Sequence, residues 1–497
     1  MERLRGRGLT RPNAAPHFRP LAAPQGRPTV RLESHRPPPT VRGSPVDAIG
    51  RAGPVPMNDS PQADGATALR DASPAPVSYP RPRRLELLDV WRGTCCLMLV
   101  VFHASMQGIA HRFWNDDRPV DDLGSALLWL AARTWIGVPI FFVISGYCIM
   151  ATLTARVDRG GAGEFLKRRF VRIYPPYWIA LAVSAIAIIL IESKWPGVLT
   201  GGTFSILHPL ELPFDVLLGN VTLTESWRHC LGGSPSSHLL PNTWTLAYEE
   251  QFYVVAALIL VALPRRILTA FALFTVVAMS GKVISKLTGI DVHGSIFDGQ
   301  WLLIACGLLL YWRIHFARGW QVHATHAALA LGIVAHLRDP ARLLEAMPNH
   351  DIDRFVAFAF TLATSLTIDV ESRIARWSVL EPLRRVGRIS YSIYLSHAVV
   401  AKGISHAAWR AGVDSPLETM LVVVPTCVLA SIGSGVVFYR LVERHFIPSR
   451  STQKPATDSA TPASEVESGL PTPLPAGASL ALSATPTIEP NRASPQG

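Results

Sequence analysis

The chain has 497 residues, 49% of them hydrophobic, and a formal net charge of +11. An excess of arginine often marks a nucleic-acid partner. Here the basic residues sit in the first tail and in short loops beside apolar runs, the loop asymmetry of a multi-pass membrane protein, which argues against nucleic acid. Six cysteines make no disulfide framework: Cys95, Cys96, Cys148, Cys306 and Cys427 lie in apolar spans, and Cys230 lies in a loop with no evident partner.

Residues 1–82 and 449–497 are rich in Pro, Ala, Ser and Thr and lack a sustained apolar period, so both tails are predicted to be disordered. No cleavable signal peptide is visible. The Arg-rich, acid-poor start has the composition of a transit peptide, but its prolines oppose an amphipathic helix. A translation start at Met57 is the plainer reading.

The stretch 83–448 predicts an all-α, polytopic membrane bundle. About ten spans are long enough to cross a bilayer: 88–107, 135–154, 174–192, 244–263, 267–285, 298–314, 322–337, 354–370, 389–409 and 417–439. The span at 322–337 is the weakest, since it holds His323, His326 and His336. With ten spans, the clusters at 81–84, 167–172, 265–266, 313–318, 373–388 and 440–444 all fall on one side. That side is then the cytoplasm, and both termini are cytoplasmic. The largest outer loop, 193–243, has a half-apolar stretch near 213–224 that either re-enters the bilayer or lies on its surface.

Ionisable groups inside such spans are functional candidates by default. Arg92 and His103 lie in the first span, about 16 Å of helix rise apart. An imidazole titrates near neutral pH and suits a general base. Arg92, near the cytoplasmic end, suits a carboxylate or phosphate. The competing reading is a histidine satisfied by a backbone carbonyl and an arginine snorkelling to the interface. In the second span, Ser145-Gly146 reads as a packing notch rather than a nucleophile, because the G-x-S-x-G elbow is missing.

Lys167, Arg168, Arg169 and Arg172 put four cations within six residues at the mouth of the third span, enough to hold the phosphates of a nucleotide-like donor. Ordinary loop charge explains them equally. Pro175 and Pro176 fit the first turn of that helix. In the fourth span, Trp244 suits the outer interface. Glu249 and Glu250 lie inside it, so at least one should face the bundle interior, where it would orient His103 or bind an acceptor hydroxyl. In the ninth span, Tyr391, Tyr394 and His397 recur every three residues and share a face. Arg440 and Glu443-Arg444 read as an interfacial charge pair.

In this order, L-D-x-x-R-G with R-x10-H, F-F-x-x-S-G-Y, K-R-R-x-x-R-I-x-P-x-Y, W-T-L-x-x-E-x-x-F-Y and I-S-Y-S-I-Y-L-x-H resemble the acyltransferase-3 family of membrane acyltransferases. The resemblance covers 83–448. Trp91 and Thr245 stand where the family often has leucine and serine. It implies transfer of an acyl group, commonly acetyl, from a cytoplasmic acyl-coenzyme A to a hydroxyl of a surface or exported glycan or a small molecule. His103, Glu249 and Asp89 are then the catalytic candidates. Arg92, Lys167, Arg168, Arg169 and Arg172 are the donor-side candidates. Trp244, Ser145, Tyr391 and His397 are the substrate-side candidates. No metal and no permanently bound cofactor is implied, and the partners are membrane lipid and the acceptor. A transporter or flippase of a lipid-linked glycan is the rival reading. It is opposed by the lack of inverted repeats and broken helix pairs.

Overall fold

The computed structural model describes residues 85–106, 120–155, 161–201, 206–230, 236–290, 292–338 and 350–447. Both expected tails, Met57 and the Cys230 side chain lie outside the described residues. Among the described residues the secondary structure is helical: α1 (Leu87–Ser105), α2 (Leu123–Ala131), α3 (Gly137–Thr154), α4 (Gly161–Lys194), α5 (Phe214–Thr222), α6 (Glu225–Cys230), α7 (Trp244–Ala262), α8 (Ile267–Thr288), α9 (Trp301–His315), α10 (Trp320–His336), α11 (His350–Leu366), α12 (Glu371–Ala375), α13 (Glu381–Arg388), α14 (Ser390–Arg410) and α15 (Val424–Leu441).

A helix occupies each of the ten expected span positions. Among the described residues, six segments are long and apolar enough to cross a membrane: Leu87–Ser105, Leu123–Thr154, Gly161–Lys194, Pro241–Ala262, Pro264–Thr288 and Pro416–His445. Trp301–His315 is apolar but shorter. The ninth expected span, α14, is long but polar. Its Ser392, His397, Lys402 and Ser405 are buried against neighbouring helices. Such a helix is hidden by protein, not by its own composition.

The third expected span differs from its expectation. Pro175 and Pro176 do not open the helix: α4 runs unbroken from Gly161, with both prolines inside it. Proline removes one ladder donor, at a local cost, without ending a helix whose neighbours hold it. The basic run is therefore part of the helix, not a loop before it.

Small residues let helices approach closely. A Cβ on Gly146 of α3 would meet the Ile304 carbonyl of α9, and one on Gly307 of α9 would meet the Val143 carbonyl of α3. The first helix is capped from a distance: the Leu87 backbone N–H donates to Glu371 Oε1 at 2.6 Å, satisfying one of the donors that a helix start leaves open.

The half-apolar stretch near 213–224 is α5, whose C-terminal end packs against the middle of α4. Tyr177 donates its hydroxyl to the Asn220 carbonyl (2.6 Å), Tyr174 to that of Thr222 (3.1 Å), and Trp178 Nε1 to that of Val221 (2.8 Å). Three aromatic donors on α4 thus take up carbonyls that a helix end leaves without partners.

Candidate active site

α1, α3, α4, α7, α13 and α14 enclose a cavity of about 770 Å³, within the range of small-molecule sites. Its wall carries Arg92, Arg169, Arg172 and Arg388, with Asp89, Glu249 and Glu443 among them. Several of these groups come from distant parts of the chain, and each is placed by a specific contact.

Arg92 is half-buried. Its guanidinium lies 3.6 Å from Asp89 and 3.2 Å from the Cys148 sulfur. Arg169 donates to the Thr152 hydroxyl at 3.2 Å and lies 5.2 Å from the Tyr253 ring centroid. Arg169 and Arg172, three residues apart on one helix, share the face that lines the cavity. Lys167 and Arg168 do not: both are exposed, and Arg168 pairs with Glu164 at 2.5 Å. The four cations of the basic run therefore do not act as one cluster. At 100° per residue a helix cannot turn 167, 168, 169 and 172 the same way.

Glu249 lines the cavity, and Glu250 does not. The Glu249 carboxylate accepts hydrogen bonds from the Ser145 hydroxyl and from Tyr253 (3.1 Å). Ser145 is thus the donor that ties α3 to this carboxylate. Trp244 is not on the cavity wall. Its half-buried ring packs 5.8 Å from Tyr248 and 6.3 Å from Phe142, against the core.

The face expected on the ninth span is present. The ring centroids of Tyr391 and Tyr394 lie 6.4 Å apart, and those of Tyr394 and His397 6.2 Å. Tyr391 donates to the Ile173 carbonyl at 2.9 Å. Tyr394 donates to the Asn242 carbonyl at 2.5 Å, and Asn242 Nδ2 returns a bond to the Tyr394 carbonyl at 2.7 Å. Both tyrosines line the cavity; His397 and His103 do not. Leu99 does, and His103 lies one turn further along the same face of α1. The rings of its chain neighbour Phe102 and of His397 lie beside His103, each 5.1 Å between centroids.

Among the cavity residues that were not sequence candidates are Cys148, Arg388 and Glu443. Cys148 was only an apolar-span cysteine. Arg388 was counted as loop charge. Glu443 was read as paired with a neighbouring arginine. It is instead buried, and accepts a hydrogen bond from Ser392 of α14 at 2.5 Å. Only tertiary packing brings these to the wall. Among the described residues, no group of three or more His, Cys, Asp or Glu side chains is arranged to hold a metal ion.

A profile of the acyltransferase-3 family, described as an acyltransferase domain, matches residues 85–440. The chain belongs to this family. It is 26% identical to a protein of Bacillus subtilis (strain 168) provisionally named peptidoglycan O-acetyltransferase YrhL, over 62% of this chain and 50% of that protein. It is 23% identical to O-acetyltransferase OatA of Staphylococcus aureus (strain NCTC 8325 / PS 47), over 64% and 50%. A provisionally named membrane-bound transacylase of Komagataeibacter xylinus, BcsY, is 26% identical over 67% of this chain and 79% of its own length. The chain spans about half the length of YrhL and OatA. No solved structure matches it. Family membership and the apolar helices make it a multi-pass membrane protein, and do not favour the transporter reading.

Proposed function

We propose that this protein is an O-acyltransferase of the bacterial inner membrane. In this reading it moves an acetyl group from acetyl-coenzyme A to a hydroxyl of a cell-surface or exported glycan. The single observation that carries the reading is the cavity wall. Arg92, Arg169, Arg172 and Arg388 all line it, together with hydrogen-bonding groups of α3, α7 and α14. Guanidinium groups match phosphate oxygens in charge and geometry. Arg92, Arg169, Arg172 and Arg388 hold the phosphates of the donor, which enters from the cytoplasm. The acceptor class follows the names of YrhL and OatA.

The ten helices all cross the bilayer, with both termini cytoplasmic, which keeps the basic clusters on one side. His103, one turn beyond the cavity-lining Leu99, takes the proton of the acceptor hydroxyl as its oxygen attacks the thioester carbonyl. The carbon–sulfur bond then breaks, and coenzyme A leaves as the thiol. Asp89 steadies Arg92. Glu249, held by Ser145 and Tyr253, fixes the charge balance of the cavity.

The test is mass analysis of surface glycans from a null strain complemented with the wild-type gene. An acyl mass increment restored by the gene supports the reading and identifies the group. No change in any glycan contradicts it.

A further inference from the structure

Two observations single out His397. Its Nδ1 lies 2.8 Å from the Tyr394 carbonyl and 3.1 Å from that of Ile393. Carbonyls only accept, so Nδ1 carries the proton, and Nε2 keeps its lone pair. That Nε2 is buried and has no hydrogen-bond partner among the described residues. The side chain is 1% exposed. A buried acceptor left open costs stability, and such a group calls for an explanation. The neighbouring ring is His103, at 5.1 Å and tilted by 54°.

We propose that His397 is the positioning residue of His103, a role that rests on the proposed function above. The Tyr394 carbonyl fixes the His397 tautomer, so Nε2 can only accept. A small rotation of the half-buried His103 ring lets its single N–H donate to that nitrogen. The other His103 nitrogen is then left as a lone pair facing the acceptor hydroxyl. When His103 takes the hydroxyl proton, the bond to His397 becomes charge-assisted and stronger, so it favours the transition state over the ground state. His397 itself neither gains nor loses a proton. Triads commonly use a carboxylate in this place. Here a neutral imidazole does so without adding a second buried charge.

Two substitutions separate this role from a merely structural one. His397→Asn keeps an amide where Nδ1 sits, and so keeps the anchor to the Tyr394 carbonyl. His397→Gln instead reaches the position of Nε2 with an acceptor oxygen. Both are compared with wild type as the full chain in lipid nanodiscs, using acetyl-coenzyme A and the unacylated glycan acceptor as substrates. His397→Asn should lower kcat by roughly a hundredfold, while the KM for acetyl-coenzyme A stays within about twofold. His397→Gln should recover part of the loss. In a His103→Ala background, where only residual turnover is left, His397→Asn should cost nothing further, because the two residues act as one unit.

Full activity of His397→Asn, better rescue by Asn than by Gln, or additive losses in the double variant would each overturn the positioning role while leaving the acyltransferase reading intact. A folded wild-type protein that releases no coenzyme A in the presence of the glycan would overturn both.

Discussion

Gly93 of α1 and Gly387 of α13 meet backbone to backbone. A Cβ on Gly387 would run into the Asp89 carbonyl, and one on Gly93 into the Leu383 carbonyl. This reciprocal contact presses the short, strongly basic α13 onto the first helix, so that Arg388 and Arg92 face one cavity. Gly387→Ala is expected to force the helices apart at a cost of about 1–3 kcal/mol, the range for overpacking a tight interior. The donor KM should rise with it. Thermal unfolding in detergent and donor titration check both effects.

The split of the basic run makes a contrast among neighbours. Arg169→Ala and Arg172→Ala remove cations from the cavity wall. Each should raise the KM for acetyl-coenzyme A by about tenfold or more, the worth of a hydrogen bond to a charged group. Lys167→Ala and Arg168→Ala change side chains that do not line the cavity and should leave KM near wild type. Steady-state kinetics on the four variants decide the matter. Equal effects at all four positions would mean that the donor does not read the inner face of α4.

Glu249 is held by two donors from two helices. Glu249→Ala strands the Ser145 and Tyr253 hydroxyls and is expected to cost about 1–3 kcal/mol of stability along with turnover. Ser145→Ala removes one donor and leaves the carboxylate with the other, so its effect should be smaller. The order is read from unfolding midpoints and kcat. A Ser145→Ala variant as dead as Glu249→Ala would assign the serine a direct part in the chemistry.

The segment between α6 and α7 carries a pH signature. Burial pushes the His238 imidazole down to about 4, against a smaller opposing pull from Glu225. The folded protein therefore holds this ring neutral. The unfolded chain, with an ordinary imidazole pKa near ~6.5, binds the proton first. The stabilisation is fully present above pH ~6.5 and is lost as pH falls towards 4. His238→Gln should flatten that part of the stability-versus-pH curve. Unfolding midpoints of wild type and variant between pH 4 and pH 7 measure it.

The positions of the helices were legible in the sequence, and six of the described segments are long and apolar enough to cross a membrane, because such runs declare themselves one segment at a time. α4 was misjudged at its start, since Pro175 and Pro176 look like a beginning when read locally and are interior positions once neighbours hold the helix. The candidate site was legible as a set of residue types, not as an arrangement. Arg92, Arg169, Arg172, Asp89, Ser145, Glu249 and Tyr391 do meet at one cavity. Helical phase alone could have separated Arg169 and Arg172 from Lys167 and Arg168. Nothing local marks Glu443 as buried against Ser392, or His397 as a ring beside His103, because both contacts join segments far apart in the chain.

The account stands or falls on acyl transfer that passes through His103. The most direct measurement is release of coenzyme A thiol by purified protein in lipid nanodiscs, given acetyl-coenzyme A and the glycan acceptor, for wild type, His103→Ala and Arg168→Ala. The account predicts acceptor-dependent release by wild type and Arg168→Ala, and a loss of at least about a hundredfold in His103→Ala. Release that His103→Ala leaves unchanged, or none from the wild-type protein, would contradict it.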